Sequence, residues 1–250
     1  MAISEKSLRL LEKARNNKKL YSSGKILHMS KLAQVIVLMP GYAVWKEKQQ
    51  AQKADGTITL IKSHKNIIVD TGLPKDKPLI LKQLKANGLK PSDIDYVICT
   101  HGDADHISNN NLFPKAPLIV GFDIYDGDLA TFFQKNLKID DNITVTAMTG
   151  HDDRSIGVLA KTKKGLVAIT GDLFEAKNDW KNAKNWISFS KRPKSQIKNR
   201  AKIWELADYI VPGHGNIFKI DKSVNILKQE TKQLQKMLKQ TFNVYGDVRL

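Results

Sequence analysis

The fold of this protein is decided by the stretch IDYVICTHGDADH, residues 94–106. Its first half is an apolar run that predicts a buried β-strand. Its second half holds four metal-binding side chains within six residues. Buried imidazoles and carboxylates are costly unless a divalent cation neutralises the carboxylates and binds the imidazoles. The stretch therefore predicts a metal site for metal-assisted hydrolysis, built from His101, Asp103, Asp105 and His106.

Three further residues occupy loops of the same kind, each after a predicted strand. His151 lies in Thr-Gly-His-Asp, Asp172 in Gly-Asp-Leu, and His214 in Pro-Gly-His-Gly. Loops that leave neighbouring strands can bring their side chains to one place, while the strands hold them rigidly. We therefore expect these three residues to join the first four. His64 lies at a predicted hairpin tip, where we expect it to be exposed.

Hydrophobic periodicity divides the chain into strands and helices. A helix is predicted over 76–86, with Leu81 and Leu84 facing inward, and the pattern of strands before and after it favours two sheets with helices outside. Helices are also predicted over 4–19, twice within 176–206, and over 221–240. Strands are predicted over 33–39, 57–62, 66–70, 94–99, 118–121, 143–147, 156–161, 166–170 and 208–211. We expect a helical N-terminal extension over 1–30, the main domain over 31–220, and a C-terminal helix over 221–250 that packs on it.

The order and spacing of the polar loops resemble the metallo-β-lactamase superfamily. That family's motif is His-x-His-x-Asp-His, followed by a further His, a bridging Asp and a last His. Residues 101–106, His151, Asp172 and His214 match it in that order, and Asp70-Thr71-Gly72 matches a supporting turn. The resemblance runs from about residue 33 to residue 218. It implies an α+β fold, an αββα sandwich of two mixed β-sheets flanked by helices, with the metals at one edge.

The resemblance also implies two divalent metals, with zinc as the expected ion. Metals about 3.5–4 Å apart can share a hydroxide whose pKa falls toward about 7, and this hydroxide attacks a carbonyl carbon or a phosphorus. Asp105 and Asp172 are therefore the candidate catalytic residues. By this analogy one metal is held by His101, Asp103 and His151, the second by Asp105, His106 and His214, and Asp172 bridges them.

Asp103 departs from the family pattern, because most members carry a histidine there. A carboxylate adds negative charge and a harder ligand than imidazole, which shifts the preference from zinc toward iron or manganese. Some family members that hold iron also carry a carboxylate at this position. Aspartate is shorter than histidine, so a weakly occupied first site, a one-metal enzyme and a degenerate site remain alternatives.

The net charge of +16 raises the question of a polyanionic partner. The basic-aromatic segment, Trp180–Trp204, contains eight Lys and Arg residues, no acidic residue and four large aromatic residues. Such a segment can bind RNA or DNA by stacking on bases and pairing with phosphates. The alternative is that its aromatic residues form the core stripe of two amphipathic helices.

The remaining composition points to a soluble, cytoplasmic protein that does not bind membranes. The one cysteine, Cys99, excludes an internal disulfide and lies in a strand, where we expect it to be buried and inert. The longest apolar run, Val35–Met39, is too short to span a bilayer. Nothing in the sequence determines the oligomeric state.

Substrate class follows only from the resemblance and the charge. Residues 100–102, 109–113, 171–175 and 180–215 are most similar to a group of metal-dependent hydrolases within the superfamily, and the vertebrate form is described as an endoribonuclease. We therefore expect a hydrolase of RNA phosphodiesters. One alternative is a hydrolase of a small ester, lactone, β-lactam or thioester. Another is a non-hydrolytic iron protein or a nucleic-acid-binding protein.

Overall fold

A computed structural model describes residues 32–46, 48 and 51–245. The N-terminal extension predicted over 1–30, with its helix over 4–19, lies outside the described residues. Among the described residues, no helix combines the length and the apolar composition that crossing a membrane requires.

The described strands form two large sheets and one separate hairpin. The first sheet has seven strands in the order β1-β4-β5-β6-β7-β8-β9, and the second has six in the order β10 to β15. Strands β2 and β3 pair as the hairpin. The strands are β1 Gln34–Met39, β2 Tyr42–Lys46, β3 Ala51–Asp55, β4 Ile58–Lys62, β5 Asn66–Val69, β6 Tyr96–Cys99, β7 Leu118–Val120, β8 Asp123–Asp126, β9 Leu129–Phe132, β10 Asn136–Lys138, β11 Ile143–Ala147, β12 Ile156–Thr162, β13 Gly165–Ile169, β14 Tyr209–Val211 and β15 Phe218–Lys219.

Helices cover the outer faces of both sheets. The α-helices are α1 Lys77–Ala86, α2 Ala104–Ile107, α3 Lys184–Ile187, α4 Pro193–Leu206 and α5 Ile226–Tyr245. Ile80 and Leu84 of α1 pack on the first sheet, whereas Ile203 and Trp204 of α4 pack on the second. The predicted α+β sandwich, αββα, is therefore confirmed.

Successive side chains of the central strands point alternately to the core between the sheets and to the helices outside. Ile67 and Val69 of β5 face the core between the sheets, and Ile68 between them faces α1. In β6, Ile98 faces the inter-sheet core while Val97 and Cys99 face the helix side. Both faces of these strands are apolar because both are covered, which explains their unbroken hydrophobic runs. They are rigid supports for the loops that follow them.

Most predicted elements are found within one or two residues, and three differences have physical reasons. The hairpin β2–β3 and strands β8 to β10 were not predicted, because exposed strands lack an apolar alternation. The prediction that Leu81 faces inward is wrong: it is 36% exposed, since Ile80 and Leu84 form the inward stripe of α1. Helix α5 begins at Ile226 because the Asn225 side chain accepts a hydrogen bond from the Lys228 amide, as an N-cap does.

The strand ends bring the polar loops to one edge. Strand β5 runs parallel to β6, and β13 runs parallel to β14. Strand β11 has the direction of β13 because each is antiparallel to β12. Within each sheet the loops after these strands therefore leave toward the same side. The loops after β6, β11, β13 and β14 carry the residues predicted as metal ligands, which meet in space, and the loop after β5 carries Asp70.

Candidate metal centre

The structure brings together all seven residues predicted as ligands. They contribute to four overlapping groups of side chains whose potential ligand atoms lie within 4.8 Å of one another. The groups are His101, Asp103 and His151; His101, His106 and Asp172; Asp105, His106 and His214; and His151, Asp172 and Glu175. Asp172 appears in two of them. We call the seven predicted side chains the metal cluster.

Hydrogen bonds on the outer side of the rings fix the tautomers of three histidines. His106 donates from Nδ1 to the Asp70 carboxylate over 2.9 Å, and His214 donates from Nδ1 to the Asp55 carbonyl over 3.0 Å. The Thr100 hydroxyl donates to Asp70, so it accepts from His101 Nδ1 at 3.1 Å. Each ring consequently turns the lone pair of its Nε2 toward the cluster, which is the arrangement that a metal-binding histidine needs.

Asp70 is the residue that supports two of these rings. It adopts a left-handed backbone conformation, with φ of +57°, which a non-glycine residue rarely adopts. The Thr100 amide donates to its carboxylate over 2.7 Å, in addition to the bonds from Thr100 Oγ1 and His106. The conformation aims the carboxylate behind the cluster, as expected for the Asp-Thr-Gly turn.

The distances inside the cluster match those between atoms that share one ion. Asp172 Oδ2 lies 3.3 Å from His214 Nε2, and Asp172 Oδ1 lies 3.4 Å from His106 Nε2. Two ligands bound tetrahedrally at about 2.0–2.1 Å from zinc lie roughly 3.3 Å apart. Four buried atoms face the cluster or border it without a hydrogen-bond partner among the described residues: His101 Nε2, His106 Nε2, His151 Nδ1 and Asp172 Oδ1. The residues present therefore fit a bound divalent cation.

Electrostatics lead to the same conclusion. Burial alone would raise the pKa of Asp172, but the imidazoles of His214, His106 and His101 hold it well below its usual range. Burial would lower the pKa of His214, but Asp172 and then Glu175 raise it to about 9. The buried carboxylates thus require positive charge between them, which protons or a divalent cation can supply.

Asp103 is the most exposed member of the cluster. Its side chain is 63% exposed, yet Oδ2 lies 3.4 Å from His101 Nε2 and 3.5 Å from His151 Nε2. The neighbouring imidazoles of His101 and then His151 hold the pKa of Asp103 well below its usual range. Its carboxylate therefore lies beside His101 and His151 on the solvent side of the cluster, where the three side chains could bind one cation together.

Glu175 is a member of the site that the sequence did not reveal. Its Oε1 lies 3.9 Å from His151 Nδ1 and its Oε2 lies 3.7 Å from His214 Nε2. Burial and then the charge of Asp172 raise the pKa of Glu175 well above its usual range. The Glu175 amide donates a hydrogen bond to the Asp179 carboxylate, which holds the turn in which Glu175 lies. Because Glu175 does not directly follow a strand, the one signal in the sequence is its position three residues after Asp172.

Close packing explains one of the glycine-containing loops. A Cβ atom at Gly213 would collide with the Asp172 carboxylate, so only glycine lets the loop that carries His214 approach Asp172.

The loop after His151 is held by ion pairs: Asp152 pairs with Lys191, and Asp153 pairs with Arg192. These ion pairs fasten the loop to the start of α4.

The basic-aromatic segment divides between core and surface. Trp186 and Trp204 are buried, and Arg200 is buried in ion pairs with Asp179 and Glu230. These three side chains cannot reach a nucleic acid, so for them the core alternative holds. Phe189 is 40% exposed, and the exposed cations of the segment are Lys181, Lys184, Lys191, Arg192, Lys194, Lys198 and Lys202. Binding of RNA or DNA by the segment stays a prediction that rests on this exposed set.

Two other predictions concern single residues. His64 is exposed in the turn between β4 and β5, as predicted. Cys99 is buried, and burial raises the pKa of its thiol above the usual range, which makes the thiol unreactive. Neither residue belongs to the metal cluster.

The comparisons with known proteins agree with the site. A model of the metallo-β-lactamase superfamily matches residues 53–128. The chain is 36% identical over 205 residues to metallo-β-lactamase domain-containing protein 1 of Xenopus laevis, which covers 79% of this chain and 86% of that relative. The chain belongs to the metallo-β-lactamase superfamily. The human protein of the same name is 31% identical over 227 residues, covering 74% of this chain and 82% of its own.

Solved structures share the superfamily fold. An N-acyl homoserine lactone hydrolase superposes with a TM-score of 0.55, at 17% identity, over 74% of this chain and 93% of that chain. At this identity the likeness concerns the fold alone. Membership of the metallo-β-lactamase superfamily and the cluster of His and Asp side chains together make this protein a metal-dependent hydrolase.

A cavity opens beside the metal cluster of this superfamily member. It has a volume of about 610 Å³. His214 and Glu175 lie at its border with the metal cluster, Trp45 belongs to the hairpin β2–β3, and Phe189 follows α3. A substrate in this cavity would lie within reach of the cluster. The remaining lining residues are Ala43, Gln52, Ala176, Asp179, Lys184, Asn185 and Ser188.

Proposed function

We propose that this protein hydrolyses RNA phosphodiesters with two divalent metals bound to the metal cluster. The observation that carries the proposal is the arrangement of histidine Nε2 atoms around Asp172, with three tautomers fixed from outside. Such preorganised ligands hold a cation without reorganisation during the reaction. In this proposal His101, Asp103 and His151 would hold one metal, Asp105, His106 and His214 would hold the other, and Asp172 would serve both.

The metals would supply Lewis acidity and lower the pKa of a water molecule toward about 7. The chain's own residues orient the site for that chemistry. Asp70 and the Asp55 carbonyl keep His106 and His214 in the ligand tautomer. Asp105, whose side chain is 18% exposed, lies 3.9 Å from His106 Nε2 and can accept a proton at the open side. Asp172 keeps its negative charge because three histidines surround it.

The charge of the chain supports a phosphodiester substrate. A net charge of +16 attracts a polyanion from a distance, and each neutralised phosphate releases counterions. Exposed cations of the basic-aromatic segment flank Phe189, and Lys184 lines the cavity itself. These features support RNA over a neutral substrate. With a single cysteine and no internal disulfide, the chain also suits a reducing compartment, and we infer a cytoplasmic location.

A small ester, lactone, β-lactam or thioester is the second candidate substrate. It is favoured by the apolar part of the cavity lining, formed by Ala43, Trp45, Ala176 and Phe189. These side chains could accept an acyl group next to the metals. The same Lewis-acid chemistry would serve a carbonyl carbon.

Metal analysis followed by substrate cleavage tests the proposal. The purified protein is analysed for metals, stripped with a chelator, and reloaded with zinc, iron(II) or manganese. It is then assayed on single-stranded RNA, bis(4-nitrophenyl) phosphate and an acyl lactone. We expect metal-dependent cleavage of RNA, lost in His214→Ala and retained in the matched control His64→Ala. Lactone cleavage without cleavage of either phosphodiester by any reloaded form would overturn the RNA proposal.

A further inference from the structure

We propose that the cavity beside His214 is a nucleobase subsite, in which Trp45 and Phe189 stack on a base and Lys184 binds the neighbouring phosphate. The inference rests on the proposed phosphodiesterase function and deepens it, because it names the part of the nucleotide that each wall recognises. It assigns to the hairpin β2–β3 and to the region of α3 a role in selecting the substrate.

The size and position of the cavity suit one nucleotide. Its volume of about 610 Å³ lies within the roughly 300–1,000 Å³ of typical small-molecule sites. One end is bounded by His214 and Glu175, whose side chains lie 3.7 Å apart beside Asp172. A phosphate at this end would meet the metal cluster, and the base attached to its sugar would extend into the cavity.

The two aromatic rings come from separate elements and remain accessible. Trp45 is 51% exposed on β2, and Phe189 is 40% exposed just after α3. A single exposed aromatic residue needs no explanation, but two that line one cavity form a surface on which a base can stack. Trp186 and Trp204 of the same region are buried in the core, so the exposure of Phe189 is not a general property of this segment.

Lys184 is the cation that lines this cavity. Lys191 and Arg192, a few residues away, pair with Asp152 and Asp153. Within residues 32–46, 48 and 51–245, no carboxylate lies within ion-pair distance of the Lys184 ammonium, although Asp179 lines the same cavity and pairs with Arg200. Its charge therefore remains available to a phosphate.

Polar groups on both walls can read the edge of a base. Gln52 projects from β3 and Asn185 from α3, and both line the cavity. A carboxamide offers one acceptor and two donor hydrogens, which complement the hydrogen-bonding edges of nucleobases. A base can use both amides as hydrogen-bond partners and an acyl chain cannot, so the lining favours a base over a purely apolar group.

Binding to metal-stripped protein separates recognition from chemistry. The probes are fluorescein-labelled heptaadenylate RNA and an oligomer of equal length that carries abasic ribose phosphates. We expect the wild-type protein to bind the base-containing probe at least about 5-fold more tightly, because each stacked base adds roughly that factor or more. Equal affinity for the two probes would overturn the subsite.

Substitutions of Trp45 and Phe189 test whether these two rings stack on the base. Trp45→Ala and Phe189→Ala should each remove most of the preference for bases, and Trp45→Phe, which retains a stacking ring, should restore part of it. Phe132→Ala is the matched control, because Phe132 is 80% exposed on β9 and does not line the cavity. Thermal unfolding of each variant checks that it folds. If Phe132→Ala weakens binding as much as Phe189→Ala, the subsite is wrong.

Lys184→Gln tests the phosphate contact. It should weaken binding of both probes equally and reduce the slope of log affinity against log salt by about one unit. The matched control is Lys198→Gln, an exposed lysine of α4 that does not line the cavity. An effect confined to the base-containing probe, or equal effects of the two substitutions, would contradict the assignment.

The outcome also distinguishes the subsite from the proposed function. If metal-loaded protein cleaves base-containing and abasic oligomers equally well, the phosphodiesterase function stands and the subsite fails. If the rings are needed for binding bases but no reloaded form cleaves a phosphodiester, the subsite stands and the proposed function fails. If Trp45→Ala and Phe189→Ala raise the KM for an acyl lactone and leave RNA binding unchanged, the cavity accepts acyl groups instead.

Discussion

The metal cluster and the basic-aromatic segment are both conspicuous in the sequence, yet they differ in how far the sequence explains them. All seven residues predicted for the cluster meet in space, because each lies in a loop or short helix that follows a strand, and the strand's direction and neighbours determine its position. The segment 180–204 is basic and aromatic throughout, yet its side chains differ in exposure. Trp186, Arg200 and Trp204 are buried, whereas Lys184 and Phe189 line a cavity. The type of a residue therefore predicts its role only where the sequence pattern also predicts the position of that residue in the fold.

Loss of the bridging carboxylate should have the largest effect on the cluster. We expect Asp172→Asn to lower kcat/KM at least about 100-fold, because the neutral amide removes the charge that faces three histidines. Steady-state cleavage of bis(4-nitrophenyl) phosphate by the metal-loaded protein measures it. Asp141→Asn, an exposed carboxylate paired with Lys138, is the control and should retain activity. Full activity of Asp172→Asn would remove this residue from the mechanism.

Breaking the buried ion pairs should show that part of the basic-aromatic segment is core. Arg200→Met leaves Asp179 and Glu230 buried without their partner and should lower the free energy of unfolding by about 3–5 kcal/mol. Urea unfolding measures the change. Lys198→Met on the exposed side of α4 should change the free energy by less than about 0.5 kcal/mol. Similar values for the two variants would erase the distinction between buried and exposed cations.

The pH dependence of metal-free protein tests the electrostatics of the cluster. The pKa of His214 rises from 6.5 to about 9 on folding, so its contribution is fully present below pH 6.5 and is lost as the pH rises through about 9. This shift corresponds to at most about 3 kcal/mol. We expect the Tm in the presence of a chelator to fall over this range, and less so in His214→Gln. A Tm that rises from pH 6.5 to 9 in the wild type alone would contradict the shift.

The departure at Asp103 should have the smallest effect. Asp103→His restores an imidazole at an exposed position beside His101 and His151, and we expect it to raise the zinc content of the purified protein. Elemental analysis of both proteins, prepared in parallel with zinc and iron supplied, measures the change. The control is Asp141→His, because Asp141 is exposed and does not belong to the cluster. Equal zinc in Asp103→His and the wild type would show that Asp103 does not select the metal.

Local pattern predicted the fold where strands are buried on both faces, as in β5 and β6. It failed for the hairpins β2–β3 and β8–β9, because exposed strands are held by pairing and not by an apolar face. It also missed Glu175, which reaches the cluster through the turn that follows Asp172 and not by following a strand. Such a position depends on a local turn, closed by the bond from the Glu175 amide to the Asp179 carboxylate, and on the approach of the loops that carry His151 and His214.

The sequence alone determined the reaction class of this protein, because metal ligands at strand ends require only local spacing and the common direction of the strands. Set beside the family's motif, it also showed that Asp103 occupies a position where most members carry a histidine. Only the tertiary structure decided which cations are exposed, since burial of Arg200 depends on Asp179 and Glu230, far apart in the chain. The cavity lined by Trp45, Phe189 and Lys184 likewise exists because folding brings together a hairpin and a helix that lie more than a hundred residues apart.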